Sequence, residues 1–211
     1  MFNTHNYKKV LKEIEVLGKK TKIIAVSKNH PRKSVEDALK NGVRTFGENR
    51  VQEAKIKFDN LKKKYHDLEL HLTGPLQTNK VKEAIKLFDV FHTLDREKLA
   101  REFVKYGNLE NKKFFIQVNT GKEESKSGIY IEQLEEFINY CRNDLYLNIV
   151  GLMCIPPINE QPIKHFSILV DEAKKNKLSQ LSMGMSSDYT DAINKNATYI
   201  RIGTFLFGNR L

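Results

Sequence analysis

Cysteine is scarce in this sequence, with Cys141 and Cys154 the only two among 211 residues. They form neither a CxxC redox pair nor a zinc-ligand set, and two thiols cannot staple a disulfide-built scaffold. Free thiols suit a reducing compartment. Long apolar runs are missing too: no stretch approaches the roughly 18 apolar residues of a membrane span. The opening segment MFNTHNYKKVLKEIEVLGKK is mixed and charged and has no run of signal-peptide length, so a cytoplasmic location with no membrane partner is expected. No Pro/Gly/Ser-rich linker, sequence repeat or low-complexity tract interrupts the chain, and one domain over residues 1–211 is expected. With 40% hydrophobic residues, a chain of this length buries roughly 70% of its unfolded surface and needs no disulfide or structural metal.

Basic residues outnumber acidic ones, 36 Lys plus Arg against 26 Asp plus Glu, for a net charge of +10. The excess is spread along the chain. Its densest run, Lys62 to Lys64, ends a predicted helix and reads as a solvated face. No aromatic and basic stacking pattern accompanies the charge, so nucleic acid is not the expected partner; salt-dependent binding to DNA or RNA would mark that alternative. Lys-rich exposed helices favour a monomer, because Lys is depleted at interface cores.

Eight short apolar or alternating runs read as strands: Lys22 to Ser27, Val43 to Gly47, Leu68 to Leu72, Asp89 to Thr93, Phe114 to Asn119, Leu147 to Met153, Leu178 to Met183 and Thr198 to Gly203. Helical spacing separates them, as in Val51, Ala54, Phe58 and Leu61, or Ile163, Phe166, Leu169, Val170 and Ala173. A further helix around Val10, Leu11, Ile14 and Leu17 precedes the first strand. The mean period of about 25 residues holds one strand, one helix and two short loops. The pattern predicts an α/β (β/α)₈ barrel with an extra N-terminal helix; an open doubly wound sheet shares the alternation but rarely needs eight parallel strands in so short a chain.

In such a barrel the chemistry sits just beyond the strand ends. Lys28 follows the first strand. A lysine at the end of a buried apolar strand, with no carboxylate adjacent in sequence, is costly as a cation, and desolvation favours its free amine. A free amine forms a Schiff base with an aldehyde, of which pyridoxal 5′-phosphate is the commonest cofactor example. The alternative is a lysine that snorkels to solvent.

LSMGMSSD and RIGTFLFG place small and hydroxyl residues after strands seven and eight, where barrels commonly bind phosphate. Ser186 and Ser187 are expected at the start of the following helix, where free N–H groups favour an anion, and Gly203 admits close backbone approach. Alternatively, Ser186 is only a helix cap and Gly203 only a turn. Arg201 lies between Ile200 and Ile202; if those isoleucines face the helices, its guanidinium faces the barrel interior. There it would meet a pyridine nitrogen and, staying protonated, leave that nitrogen unprotonated and the ring a weak electron sink, or else it forms an internal ion pair, for example with Glu48.

Through AVSKNHP, FGENRVQEAK, HLTGPLQTNK, HTLDR, ESKSGI, GLMCIPP, LSMGMSSDYTDAI and RIGTFLFGNR, over about residues 23–210, the chain resembles the pyridoxal 5′-phosphate homeostasis proteins, the YggS/PROSC family. The resemblance implies a barrel like the N-terminal domain of bacterial alanine racemase, with the cofactor on Lys28 and Arg201 at the pyridine nitrogen. It further implies that Ser186, Gly203 and Thr204 hold the phosphate and that Asn49 lies near the ring. His71 and Met153 match family positions without a firm role; His71 is equally a satisfied core histidine. Thr73, where the family usually has an aliphatic residue, places a hydroxyl where packing is expected. Cys154 after the GLM triplet, and a chain that stops at Leu211 with almost no tail, are the other departures.

Two-domain racemases draw a second acid/base residue from a further β-domain, whereas this chain ends at the predicted barrel. The expected function is therefore non-catalytic storage, buffering or delivery of pyridoxal phosphate, with pyridoxal phosphate-dependent apoenzymes as recipients. The alternative is a small racemase or lyase with Lys28 as base and Tyr189, His71 or Cys154 as the opposing acid.

Overall fold

The computed structural model describes residues 1–107 and 109–209; Arg210, the last residue of the RIGTFLFGNR segment, lies outside them. Eight parallel strands close into a barrel in chain order: β1 (Lys22–Val26), β2 (Thr45–Glu48), β3 (Glu69–Leu72), β4 (Val90–Leu94), β5 (Lys113–Val118), β6 (Ile149–Cys154), β7 (Gln180–Ser182) and β8 (Tyr199–Ile202). The closing pair sets Ile24 beside Arg201 and Ala25 beside Ile202. Helices α1 (Thr4–Val16), α2 (Arg32–Lys40), α3 (Val51–Lys64), α4 (Val81–Leu87), α5 (Glu97–Val104), α6 (Ile131–Asn139), α7 (Pro162–Lys175) and α8 (Tyr189–Asn194) precede or follow the strands, and α9 (Thr204–Phe207) is one short turn after β8. The architecture is the expected (β/α)₈ barrel with its N-terminal helix.

Alternation along each strand divides the core in two. Residues facing the helices, among them Ala25, Phe46, Leu70, Phe114, Leu152, Ile200 and Ile202, join the buried helix faces in one large cluster. Residues facing inward, Ile24, Val26, Val90, Phe115, Met153 and Tyr199, fill the barrel itself. Because Ile200 and Ile202 face the helices, Arg201 points with Tyr199 into the interior, where it is buried. Val10 and Ile14 bury the inner face of α1, while Leu11 and Leu17 on the same helical segment remain substantially exposed.

Several strands begin later than the apolar runs that foretold them. Val43 and Leu178 donate backbone N–H bonds to Ala38 O and Ala173 O, each at the end of the preceding helix. The residues before them, Gly42 and Lys177, have φ of 84° and 54°. This is the Schellman closure, in which the first apolar residue past the left-handed position packs back on the helix. Leu147, after Tyr146 with φ 52°, similarly bonds to Cys141 O. Lys62 also departs from its reading as solvated: it is half-buried, with Nζ 2.6 Å from Asp89 Oδ2 and 2.9 Å from Leu87 O.

Candidate cofactor site

Lys28, Asn49, Ser186, Arg201, Gly203 and Thr204 all line one cavity of about 270 Å³ at the C-terminal mouth of the barrel. Val26, Thr73, Ile155, Met185 and Ser187 complete its wall. A larger groove of about 810 Å³ runs along α6, lined by Glu97, Glu132, Glu135, Glu136 and Asp144 among others, and no lysine, arginine or histidine lines it.

Lys28 is half-buried on the cavity wall. The backbone on both sides of it is tied to a buried charge cluster that grows out of β2 and α3. Glu48 Oε1 accepts from Ser27 Oγ at 2.6 Å and from Lys57 Nζ at 2.9 Å. Lys57 also donates to Ser27 O and to Glu53 Oε1, both at 2.7 Å, and Glu53 Oε1 in turn receives the N–H of Asn29 at 2.5 Å. Asn29 has φ 61°, so the chain turns sharply just after Lys28. Glu48 thus pairs with Lys57, and an ion pair between Glu48 and Arg201 does not form. Burial is the main influence on the Glu48 carboxyl, pushing its pKa up, with Lys57 and Ser27 opposing.

Asn49 follows Glu48 at the end of β2. Its Oδ1 accepts a 3.0 Å hydrogen bond from Thr73 Oγ1, so the hydroxyl that replaces the expected aliphatic side chain orients Asn49. Gly74 permits this approach, since a Cβ there would fall 2.6 Å from Asn49 Cβ and 2.7 Å from its Cα and carbonyl oxygen.

On the opposite wall, Ser186 lies in the β7–α8 loop and not at a helix start: α8 begins at Tyr189, with Asp188 in the cap position. Asp188 Oδ1 instead accepts the N–H of Met185 at 2.5 Å and holds the loop. Ser186 Oγ lies 3.4 Å from the N–H of Phe205. The helix start in the cavity is therefore that of α9, with Gly203 as its cap residue. Its first N–H groups have no partner within the helix. A Cβ on Gly203 would meet only Val26, at 3.4 Å or more, so the surrounding protein leaves room there and the missing side chain enlarges the cradle. This is the phosphate-type arrangement of barrels, made of the loops after strands seven and eight and a short extra helix.

Arg201 closes the cavity floor. Its Nη1 donates to Ser182 Oγ and its Nη2 to Cys154 O, both at 2.8 Å. Two of the five guanidinium donors are engaged in these bonds, and Arg201 also lines the cavity. A group that accepts but carries no proton of its own, such as a pyridine nitrogen, suits a guanidinium there. The cavity brings together an amine, a fixed donor and, beside Ser186, the N-terminal turn of α9, which is the chemistry that pyridoxal phosphate requires.

The three candidate opposing acids are all elsewhere. Tyr189 donates to Glu13 Oε2 on α1 at 2.8 Å, and its pKa is pushed up to about 12, chiefly by burial. His71 lies buried in the barrel, 2.7 Å from His92. Burial pushes the Cys154 thiol up to about 12. None borders the cavity.

The alanine racemase N-terminal domain family matches residues 3–210. The pyridoxal phosphate homeostasis protein of Aquifex aeolicus is 40% identical over 200 residues, covering 90% of this chain and 87% of that protein. The chain belongs to the pyridoxal phosphate homeostasis protein family. Among solved structures, PipY, the COG0325 family member of Synechococcus elongatus, aligns over 90% of this chain and 93% of its own. Its structure without PLP is 35% identical and its structure with PLP bound 34%, both with a TM-score of 0.78. Alanine racemase from Corynebacterium glutamicum shares the barrel alone, at 15% identity and a TM-score of 0.69, and this homeostasis-family chain spans 58% of it.

The buried charge cluster is what sequence reasoning missed. A signal existed: Lys57 occupies the apolar stripe of α3 defined by Val51, Ala54, Phe58 and Leu61, four residues after Glu53.

Proposed function

We propose that this chain binds pyridoxal phosphate covalently through Nζ of Lys28 and stores, buffers or delivers it inside the cell without catalysing a reaction. The observation that carries the reading is the convergence of Lys28, Arg201 and the Ser186/Gly203/Thr204 cradle on one small cavity. Its volume is near the lower end of the roughly 300–1,000 Å³ typical of ligand pockets, as suits a single-ring cofactor. When bound, the cofactor supplies an aldehyde that an amine can capture and a ring that can withdraw electrons. Lys28 would hold the aldehyde carbon, Arg201 would donate to the ring nitrogen, and Ser186 with the first N–H groups of α9 would hold the phosphate. Asn49, oriented by Thr73, would border the ring.

Absence of turnover is supported on two counts. Arg201 stays a cation and would keep the ring nitrogen of a bound cofactor unprotonated, which would weaken its electron withdrawal. Tyr189, His71 and Cys154 stand off the cavity, so a racemase using any of them as second acid lacks the required reach. The names of relatives, which describe homeostasis rather than catalysis, agree. Apoenzymes dependent on pyridoxal phosphate are the recipients this role calls for. No helix among the described residues is long and apolar enough to cross a membrane; a cytoplasmic monomer is the form proposed.

The test is incubation with pyridoxal phosphate, borohydride reduction and peptide mapping, alongside an assay for loss of optical activity with amino acids. The reading expects a reduced adduct on Lys28 and no racemisation. Racemisation at a steady rate, or an adduct on another lysine, contradicts it.

A further inference from the structure

A line of polar side chains crosses the barrel interior beneath the cavity. Arg201 Nη1 donates to Ser182 Oγ at 2.8 Å, and Ser182 Oγ lies 2.8 Å from His92 Nδ1. His92 Nε2 lies 2.7 Å from His71 Nδ1, and His71 Nε2 lies 3.1 Å from Glu69 Oε2. Arg201, Ser182, His92 and His71 are buried. Glu69, at the opposite end of the strands from the cavity, remains partly exposed, and its other oxygen accepts from Lys113 Nζ at 3.2 Å. Each strand contributes by alternation: Glu69 and His71 share the inward face of β3, and Arg201 shares that of β8 with Tyr199.

The protons on this line can be arranged in one direction only. Burial pushes both imidazoles down, His92 well below its ordinary value, so at neutral pH each ring carries a single N–H. The Glu69 carboxylate, held at about 2 mainly by its contact with His71, accepts and does not donate. His71 Nε2 makes no well-aligned hydrogen bond, but it lies 3.1 Å from the Glu69 carboxylate, which attracts a ring N–H and repels a bare lone pair, so the proton resides on Nε2. His71 Nδ1 is then an acceptor and takes the Nε2 proton of His92. His92 Nδ1 is in turn an acceptor and takes the hydroxyl proton of Ser182, whose oxygen receives Arg201. A cation at one end and an anion at the other polarise every link in the same sense.

We propose that Ser182, His92, His71 and Glu69 are positioning residues for Arg201, forming a one-directional line that fixes the guanidinium at the cavity floor and couples its donor strength to a carboxylate across the barrel. Its effect on the cofactor rests on the function proposed above. A substitution at Glu69, which does not border the cavity, then changes how firmly the cofactor is held. A histidine pair that merely fills the core predicts no such effect.

The experiment uses the full chain labelled with ¹⁵N-histidine, as wild type, Glu69→Gln, Ser182→Ala and, as control, Asp67→Asn, whose carboxylate is exposed and paired with Arg44. Imidazole ¹⁵N spectra without added ligand report the tautomers, and titration with pyridoxal phosphate at neutral pH reports affinity. The expected result is a proton on Nε2 of both His71 and His92, ring signals of both shifted in Glu69→Gln, and affinity reduced roughly five- to tenfold in Glu69→Gln and Ser182→Ala. Asp67→Asn leaves both readouts at wild type. A ring protonated on Nδ1, or wild-type affinity in Glu69→Gln, overturns the proposal; Glu69→Gln decides the matter even if Ser182→Ala fails to fold. Should the wild type take up no pyridoxal phosphate, the proposed function falls and the spectra alone judge the line: a Glu69→Gln perturbation reaching His92 sustains it, and one confined to His71 overturns it.

Discussion

Lys57 Nζ lies 2.9 Å from Glu48 Oε1, and this buried ion pair holds the carbonyl of Ser27 directly before Lys28. Side-chain exposure is 6% for Lys57 and nil for Glu48, so neither charge can turn to water if its partner is lost. Removing one member of such a pair costs about 3–5 kcal/mol, whereas removing both charges costs much less. Lys57→Met is therefore expected to lower unfolding free energy by about that amount, and Lys57→Met combined with Glu48→Gln to recover more than half of it. Denaturant unfolding of the two variants checks this; equal losses would show that the charges do not depend on each other.

The two glycines at the cavity respond differently to substitution. Gly74→Ala drives a methyl into the backbone of Asn49, and such overpacking costs about 1–3 kcal/mol. Gly203→Ala meets only ordinary contact with Val26 and is expected to cost less than about 1 kcal/mol. Its methyl nonetheless intrudes on the anion cradle, and affinity for inorganic phosphate or pyridoxal phosphate should fall by about tenfold. Thermal unfolding and ligand titration on the same samples separate the two effects.

Both cysteines are buried, and burial holds each thiol up at about 12. The thiolate is the reactive form. A chromogenic disulfide reagent at neutral pH should consume no thiol in the folded protein and two per chain after denaturation. Fast reaction of the folded protein would place a thiol at the surface.

Glu69 is held at about 2, below its unfolded value of 4.5, first by its contact with His71 and then by Lys113. Between those pH values the unfolded chain binds the proton and the folded chain does not, so stability rises with pH across that window. The contribution is complete above about pH 4.5 and disappears as the pH falls to about 2. Denaturant midpoints of wild type and Glu69→Gln should differ at neutral pH and converge on acidification through that range. A constant gap would mean that the carboxylate is not specially held in the fold.

The barrel was legible because each apolar strand run alternates with a helical stripe. Its eight strands lie where the runs place them, and the errors have one cause. Val43, Leu147 and Leu178 are apolar because they seal the ends of helices, a tertiary role that strand-like composition does not distinguish. At the site, the inward direction of Arg201 follows from two flanking isoleucines, and Lys28, Asn49, Gly203 and Thr204 stand at strand ends in the sequence itself. Ser186 reads in the sequence as the start of a helix but lies in the loop before it, because Asp188 rather than a serine occupies the cap of α8. The partner of Glu48 left only the faint signal of a lysine in the apolar stripe of α3. The line from Arg201 to Glu69 was not legible, because its links between strands join residues 19 to 90 positions apart and only closure of the barrel brings those side chains together.

The most direct measurement is absorbance of the purified protein with pyridoxal phosphate, for wild type and Lys28→Ala, before and after borohydride reduction, with circular dichroism to show that both are folded. Wild type is expected to show a bound-cofactor band that reduction converts to a stable adduct on Lys28, and folded Lys28→Ala neither band nor adduct. A wild type that stays colourless with excess cofactor, or a Lys28→Ala protein that still forms the adduct, would contradict covalent binding through Lys28.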